Sequence, residues 1–506
     1  MSLSRRQFLR TSLLAGAATL VPTQLAYLLA GDARAGSLDS LLTQVSGGPG
    51  ARAVGYGPLR PDPDGLLDLP AGFRYQVLSP GVLESDHARE LRFASILSNG
   101  DATPPQHDGM AAFAGPKGMT ILVRNHELNP WDRPLLDPAR MRAYDAKAGG
   151  GTTTLWVDRD RRLVNSFASL SGTLRNCAGG ATPWGSWISA EECVYLPGKL
   201  DPRNTDLTPD VAERHGYLFE VDASATSLVE PKPLREMGRF RHEAVAVDPR
   251  TGFAYLTEDR DDGLLYRFRP QVVTRGQTAP ARLAVGDYAR GGTLEALRII
   301  GTPQAITSNH EGSAVFTRGR SHRVDWVPIA QPDPDCDTER DPADTNPDPQ
   351  KRRMRTAAGS TRAQGFSAGA AQFSRCEGII HHGGAIYWSA TDGGRTKAGQ
   401  VWRLEPARQR LTLVVEPNEM ARLDMPDNLC VGVNGDVLAC EDGSGDNFLV
   451  GITPRGTLYP LARNAHPLKR ELAGCCFSPD GRTLFLNLQQ PGITFAVWGP
   501  WARRRA

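Results

Sequence analysis

Short apolar runs separated by turn residues recur along the chain between residues 107 and 492. In each case an apolar run, a Gly-containing turn and a second apolar run follow one another, as in HEAVAVDPRTGFAYLTEDR. Two β-rich runs joined by such a turn predict a β-hairpin. We find six of these units, numbered in chain order, at 107–127, 176–192, 242–260, 377–394, 427–443 and 472–492.

Further apolar stretches lie between the units and supply additional strands, among them TTTLWVDRD, GYLFEVD and LLYRFRP. About four strands per unit, repeated radially, is the organisation of a β-propeller. The pattern therefore predicts an all-β protein, a six-bladed β-propeller with inserted loops. A β-sandwich or a pair of β-barrels is the alternative architecture.

The first 35 residues have the composition of an export signal. Arg5 and Arg6 precede a modestly apolar run over 13–30, and the small-residue cleavage signal Ala33–Ala35 follows. The paired arginines are typical of the twin-arginine route, so the twin-arginine translocase is the predicted partner during export. A membrane anchor is the alternative, but no later stretch approaches the roughly 18 apolar residues that a span needs. We expect residues 36–506 to form a single propeller domain in the periplasm or outside the cell.

Charge and cysteine content exclude two classes of protein. The chain has 58 basic and 56 acidic residues, and the signal carries four arginines against one aspartate, so the mature chain has a net charge of about −1. Such a balance gives no basic excess for nucleic-acid binding. Eight cysteines in 506 residues are too few for a disulfide scaffold. The polar, Pro-rich segment 331–362 is predicted to be an inserted surface loop.

Ionisable groups mark both ends of the predicted hairpins. If each hairpin takes the same place in its blade, these ends meet at one mouth of the central channel. Carboxylates gathered there repel one another unless cations neutralise them, and oxygen-rich shells select hard cations, chiefly Ca²⁺. For any single acid, a turn cap or a surface charge is the alternative. The converging residues would be Cys177, His242, Glu243, Glu377 and Asp427 at the openings, and Glu127, Glu191, Glu192, Glu258, Asp259, Asp392, Glu441 and Asp442 at the ends.

Three members of this region allow two interpretations each. Cys177 is either a thiolate ligand of a transition metal or a small buried apolar residue. Arg375 lies two residues before Glu377, on the same side of an extended strand, where it can bind a phosphate or pair with an acid. Asn428 offers a neutral oxygen suited to Ca²⁺ or to a turn. No G-x-S-x-G, H-E-x-x-H, Walker or dinucleotide-binding motif points to another chemistry.

Several segments together resemble the PhoX-type alkaline phosphatases, which are exported by the twin-arginine route. These are RNHE, NCAGGATPWGSWISAEE, GRFRHEAVAVDPRTGFAYLTEDR, FSRCEGI, DNL with EDG, and FSPDGRTLFLNLQQPG. The likeness as a whole runs from about Leu69 to Trp498. The resemblance implies a six-bladed propeller whose centre holds iron(III) ions (Fe³⁺) and calcium ions (Ca²⁺).

The resemblance also implies roles for individual residues. Cys177 would bridge two irons, and Arg375 would contact the phosphate. The implied glutamate ligands of the metal cluster are Glu127, Glu192, Glu258 and Glu377, and calcium ligands would come from Glu191, Asp259, Asp427 and Asn428.

We therefore expect an exported, metal-dependent hydrolase that acts as a monomer on small-molecule phosphate monoesters and releases inorganic phosphate. A propeller phosphodiesterase or a propeller lactonase is the alternative enzyme. A non-catalytic, metal-stabilised binding propeller also explains the carboxylates, but it gives Cys177 no role.

Overall fold

The computed structural model describes residues 54–81, 97–132, 134–135, 142–198, 210–272, 283–311, 315–348 and 351–501. The predicted signal at 1–35 lies outside these ranges. Within them, no helix combines the length and the apolar character needed to cross a membrane. The described chain is built from antiparallel β-strands, which follow below in chain order.

Strands from both ends of the chain share sheets. Three strands come first, β1 (Leu59–Arg60), β2 (Leu67–Pro70) and β3 (Arg74–Pro80). They pair with strands from the far end of the chain, as described below. The first complete sheet contains β4 (His107–Ala114), β5 (Thr120–His126), β6 (Gly150–Val157) and β7 (Leu163–Thr173), paired in that order. A three-stranded sheet follows, with β8 (Asn176–Ala181), β9 (Ser186–Glu191) and β10 (Leu218–Asp222).

The third and fourth units lie in one nine-stranded sheet. Its first part contains β11 (His242–Val247), β12 (Ala254–Glu258), β13 (Tyr266–Pro270), β14 (Gly292–Ile299) and β15 (Ser321–Pro328). Its second part contains β18 (Cys376–His382), β19 (Ala385–Ala390), β20 (Gln400–Glu405) and β21 (Arg410–Val415). The two parts are joined where β15 pairs with β21 along their outer edges. Between them lie the hairpin β16 (Thr338–Arg340) and β17 (Met354–Thr356), and helix α1 (Thr361–Ser367).

The last two sheets recruit the strands from the start of the chain. The fifth unit contains β22 (Pro426–Val431), β23 (Val437–Glu441), β24 (Phe448–Ile452) and β25 (Leu458–Asn464), and β25 pairs with β2. The sixth contains β26 (Leu472–Phe477), β27 (Leu484–Leu488) and β28 (Ile493–Trp498), and β28 pairs with β3. Short 3₁₀ helices occur at Pro116–Gly118, Arg235–Met237 and Tyr288–Arg290.

The innermost strands of the six units form a closed ring. Strand β4 contacts β8, and the contacts continue through β11, β18, β22 and β26 back to β4. These strands line a central channel of about 450 Å³. Glycine is required where they approach closely, since a Cβ on Gly180 would lie 1.9 Å from the carbonyl oxygen of Val245. The fold is thus an all-β, propeller-like arrangement, as the sequence pattern predicts.

Apolar residues fill the space between neighbouring sheets. One buried cluster joins the first and second units through Val123 and Trp187, and another joins the third and fourth through Tyr255 and Trp388. Equivalent clusters lie at the other junctions, including the one between the sixth unit and the first. Because each sheet buries both faces, its strands alternate little between apolar and polar residues.

The predicted surface insertion at 331–362 is anchored by buried charges. Its Asp337 is buried and forms ion pairs with Arg260 and Arg362. Its Asp333 accepts a hydrogen bond from the buried Arg239 at 3.0 Å. The insertion is therefore not solvated along its whole length, because its ends are tied to the sheets.

Candidate metal centre

One position near the start of each inner strand points to the same end of the channel. It is the second residue of the strand, which we call the channel position, and a β-bulge follows close behind it. A bulge turns the strand locally and re-aims its side chains. The channel positions are Asp108, Cys177, Glu243, Glu377, Asp427 and Ala473.

A second repeated feature brings two more side chains per unit to this end. The closing position is the first residue after the second strand of each unit. Its backbone N–H donates to the carbonyl of the residue that lies two positions before the channel position. We call that acceptor the threshold position. The pairs are Glu127 to Gln106 at 3.0 Å, Glu192 to Arg175 at 2.9 Å, Asp259 to Arg241 at 3.2 Å, Thr391 to Arg375 at 2.8 Å, Asp442 to Met425 at 3.0 Å and Gln489 to Glu471 at 3.3 Å.

Side chains from these positions form three groups whose oxygen or sulfur atoms lie within 4.8 Å of one another. Each group joins residues from neighbouring units, and the third group joins the first unit to the sixth, so it depends on closure of the ring. The groups are Cys177 with Glu192 and Glu243, Glu243 with Glu377 and Asp427, and Asp108 with Glu127 and Glu471.

The Cys177 thiol is buried among carboxylates. Its Sγ donates to Oε2 of Glu243 at 3.0 Å. Burial, together with the charges of Glu243, Asp108 and Glu127, raises the pKa of Cys177. The thiol therefore stays protonated in these surroundings unless a cation offsets the negative charge.

The carboxylates themselves lack sufficient neutralising charge from the protein. Burial and mutual repulsion raise the pKa of Glu243, Glu377 and Asp108, and burial with the charge of Asp442 raises that of Asp427 to about 8. Within the described chain, Oδ1 of Asp108 is buried without a hydrogen-bond partner. Buried carboxylates with raised pKa values and an unpartnered oxygen fit the binding of multivalent cations.

Three arginines at threshold positions cross-link the acidic groups. Arg175 pairs with Glu127 and, at 2.5 Å, with Glu192. Arg241 pairs with Glu192 and lies 3.7 Å from Asp259. Arg375 donates to Oδ1 of Asp259 at 2.9 Å and to Oε1 of Glu377 at 2.6 Å. The result is a continuous row in which carboxylates and guanidinium groups alternate.

Four predicted ligands lie outside the three groups: Asp259, which pairs with Arg375, Asn428, and the two strand-end glutamates Glu191 and Glu258. Glu191 accepts hydrogen bonds from the backbone of Leu174, Gly216 and Tyr217, and it contacts His215 at 2.7 Å. Glu258 accepts from Arg362 and Tyr266, both at 2.9 Å. Each is the last residue of its strand, so it points into the sheet wall, whereas the next residue reaches the mouth. Glu441 is placed in the same way, and it accepts from the backbone N–H groups of Asp424 and Phe448.

The remaining candidates, and His126 beside Glu127, lie at the edges of the site. Asn428 donates to Oδ1 of Asp427 at 2.8 Å and accepts from the backbone N–H of Gly474 at 2.7 Å. His126 and His242 are buried and bind backbone carbonyls, and burial lowers the pKa of each. Asp392 follows the closing position of the fourth unit, Thr391, and lies 3.6 Å from Lys397.

Four residues of the site were missed by reasoning from the sequence. Asp108 and Glu471 complete one group, and Arg175 and Arg241 belong to the alternating row. The sequence does carry a signal for the arginines, because RNC, RHE and RCE place an arginine two residues before the channel position in three successive units.

A family model described as alkaline phosphatase PhoX matches residues 54–165 and 160–492. The chain belongs to the alkaline phosphatase PhoX family. A twin-arginine signal model matches residues 2–22, which indicates export to the periplasm or beyond through the twin-arginine translocase. Among curated proteins, no sequence gives a significant match.

One solved structure supports the fold of this chain. PhoX of Pseudomonas fluorescens, solved with vanadate as a transition-state analogue, has a TM-score of 0.60 at 17% identity, with 86% of this chain and 96% of that chain covered. A gluconolactonase from Xanthomonas campestris has a TM-score of 0.35 at 12% identity, with 89% of this chain and 100% of that chain covered. The second similarity is too weak to support the lactonase alternative.

Proposed function

We propose that the protein hydrolyses phosphate monoesters outside the cytoplasm and releases inorganic phosphate, using Fe³⁺ and Ca²⁺ held at the mouth of a six-bladed propeller. The observation that carries this proposal is the convergence of a buried thiol, Cys177, with carboxylates from neighbouring units in a chain of a phosphatase family. A binding protein without catalysis would need the carboxylates for stability, but it would have no use for the thiol.

The donor set suits two kinds of cation. Sulfur from Cys177, with Glu192 and Glu243, suits a redox-active or softer ion such as iron. The two all-oxygen groups suit Ca²⁺, which takes six to eight oxygen ligands. When bound, such cations polarise phosphoryl oxygens and lower the pKa of a bound nucleophile. We place Glu377 and Asp427 in one oxygen group and Asp108, Glu127 and Glu471 in the other.

Glu191, Glu258 and Asn428 have supporting roles in this proposal. Glu191 and Glu258 hold the ends of β9 and β12, so that the neighbouring Glu192 and Asp259 reach the mouth. Asn428 orients Asp427 through its amide. Their substitution should act through the shape of the site and not through loss of a direct ligand.

We propose that Arg375 contacts the phosphoryl group. The charges of Glu377 and Asp259 raise its pKa, so the guanidinium is always charged. Its Nε and Nη2 bind these acids, and Nη1 has no hydrogen-bond partner in the described part of the chain. A planar guanidinium with a free donor pair at a solvent-accessible mouth suits a phosphoryl group.

The proposal is tested with the metal-replete, mature protein and three substrates: p-nitrophenyl phosphate, bis-p-nitrophenyl phosphate and a simple lactone. We expect hydrolysis of the monoester, with iron and calcium found by elemental analysis. A protein that is inert towards the monoester refutes the proposal. Faster turnover of the diester or the lactone would favour the corresponding alternative enzyme.

A further inference from the structure

The arginine at the threshold position of the second unit has the same placement as Arg375 in the fourth. Arg175 lies two residues before Cys177, as Arg375 lies two residues before Glu377. Both have a left-handed backbone conformation, with φ of 44° for Arg175 and 50° for Arg375. The carbonyl of each accepts the N–H of its own closing residue, at 2.9 Å and 2.8 Å. The two side chains therefore leave the backbone in equivalent geometry.

Exposure separates these two arginines from the one between them. The side chains of Arg175 and Arg375 are 22% and 27% exposed, whereas that of Arg241 is 6% exposed. Arg241 forms ion pairs with two buried carboxylates, those of Glu192 and Asp259. The outer two arginines are thus the members of the row that solvent, and a dissolved anion, can reach.

Arg175 also keeps donor capacity for a ligand. Its Nη1 donates to Oδ1 of Asn129 at 2.8 Å, which leaves the second hydrogen of that nitrogen without a partner in the described chain. Its Nη2 binds Glu127 and Glu192, two acids of the candidate metal groups. Its Nε donates to the backbone carbonyl of Glu192 at 3.3 Å, so one N–H of Nη1 is the donor left for a ligand. A guanidinium held in this way by its neighbours is oriented before an anion arrives, which reduces the entropy lost on binding.

We propose that Arg175 is a second anion-binding arginine of the site, which contacts the phosphate-bearing substrate together with Arg375. This inference rests on the proposed function, since it assumes a phosphate ester at the mouth. Two sources of the anion are possible: the reacting phosphoryl group itself, or a second anionic group of the same substrate. Glu192, Arg241 and Asp259 lie between Arg175 and Arg375. A ligand that contacts both outer arginines must extend past these three residues, so a substrate with two phosphoryl groups is tested as the longer ligand.

The test compares Arg175→Gln, Arg375→Gln and the control Arg298→Gln in the mature, metal-loaded protein. Arg298 is a paired surface arginine on β14, bound to Asp325 at 2.6 Å and remote from the mouth. Binding of inorganic phosphate and of pyrophosphate is measured by calorimetry, and iron and calcium are measured in every sample. We expect Arg175→Gln to weaken binding by about 10- to 100-fold with unchanged metal content, as charged hydrogen bonds of this kind contribute.

Each outcome bears on the inference. Weaker phosphate binding supports contact with the reacting group, and a loss confined to pyrophosphate supports contact with a second anionic group. Wild-type affinity for both anions in Arg175→Gln overturns the inference, as does loss of bound metal, which would make Arg175 a structural residue. Partial recovery in Arg175→Lys supports a role for the charge. A wild type that binds phosphate but hydrolyses no ester refutes the proposed function, while the binding data still decide the role of Arg175.

Discussion

Glu191 and Glu192 are consecutive in the chain, but their carboxylates lie in different surroundings. Glu191 turns into the sheet, where His215 and three backbone N–H groups surround it. Glu192 turns to the mouth, where Arg175 and Arg241 bind it near Cys177. The peptide between them marks the boundary between scaffold and site.

Substitution of the two glutamates should therefore have different consequences. Glu191→Gln should lower the free energy of unfolding by about 3–5 kcal/mol, because a buried, paired charge is removed and one amide hydrogen faces backbone donors. The metal content of the folded fraction should not change. Glu192→Gln should lose bound metal and at least about 100-fold in activity, because loss of a direct ligand costs more than the 10- to 100-fold typical of an outer-shell partner. Urea denaturation and elemental analysis measure both effects.

The opposite pattern would contradict this assignment. A Glu191→Gln protein that is depleted of metal but normally stable, beside a metal-replete Glu192→Gln protein, would mean that the first carboxylate is the ligand.

Cys177→Ser should remove iron and nearly all activity, because a serine hydroxyl does not supply a soft thiolate ligand. The fold should persist, since the apolar clusters between the sheets do not depend on this side chain. If the thiol were only a buried apolar group, the substitution would cost about 1–3 kcal/mol for an unsatisfied hydroxyl and would leave the iron in place. Iron content, visible absorbance and turnover distinguish the two cases.

Cys193 provides the matched control for Cys177. It is buried in a separate apolar cluster with Leu174 and Tyr195, and within the described chain neither Cys193 nor Cys177 forms a disulfide. Cys193→Ser should keep its iron and its activity. Equal losses in both variants would indicate general destabilisation and would argue against a ligand role for Cys177.

The His215 side chain should make the fold sensitive to alkaline pH. Burial alone lowers the pKa of His215, but Glu191 and Asp145 outweigh it and raise that pKa from 6.5 to about 9. A raised folded-state pKa gives stability that is fully present below pH 6.5 and is lost as the pH rises through about 9. Unfolding free energies measured from pH 6 to 10 should fall for the wild type, and they should fall less steeply for His215→Gln. Identical slopes for both proteins would exclude His215 as the source.

Removal of calcium should abolish activity and lower the thermal midpoint. A ligand that binds only the folded state stabilises it by about 2.7 kcal/mol at a concentration 100 times its Kd. Dialysis against a calcium chelator should therefore lower the thermal midpoint and stop turnover, and added CaCl₂ should restore both. MgCl₂ is the control, because Mg²⁺ is smaller and requires a stricter octahedral geometry. Full recovery with Mg²⁺, or activity that survives chelation, would contradict a calcium requirement.

Much of the architecture could be predicted from the chain because its determinants are local. Turns such as Asp248–Gly252 and Ser478–Gly481 separate apolar runs of strand length, and these signals locate the hairpins. The pairing of β15 with β21 was not predicted, since it joins outer edges distant in sequence and no local pattern encodes it.

In two pairs of consecutive acids, the sequence did not show which residue reaches the mouth of the channel. Sequence reasoning gathered Glu191 with Glu192 and Glu258 with Asp259, but the choice within each pair depends on strand register at a bulge. Asp108 and Glu471 were missed because they come together only when the sixth unit packs against the first. Arg175 and Arg241 were missed because the signal for them is one spacing that is repeated in three units. No single motif shows that repetition.

Closure of the ring sets an order of events during synthesis of the protein. Strand β3 is synthesised early, yet its partner β28 is the last strand of the described chain to be made. The ring cannot close before β28 is present, and the acidic group that joins the first and sixth units cannot assemble before the sixth unit is made. Since the twin-arginine route carries folded proteins, closure of the ring precedes passage across the membrane.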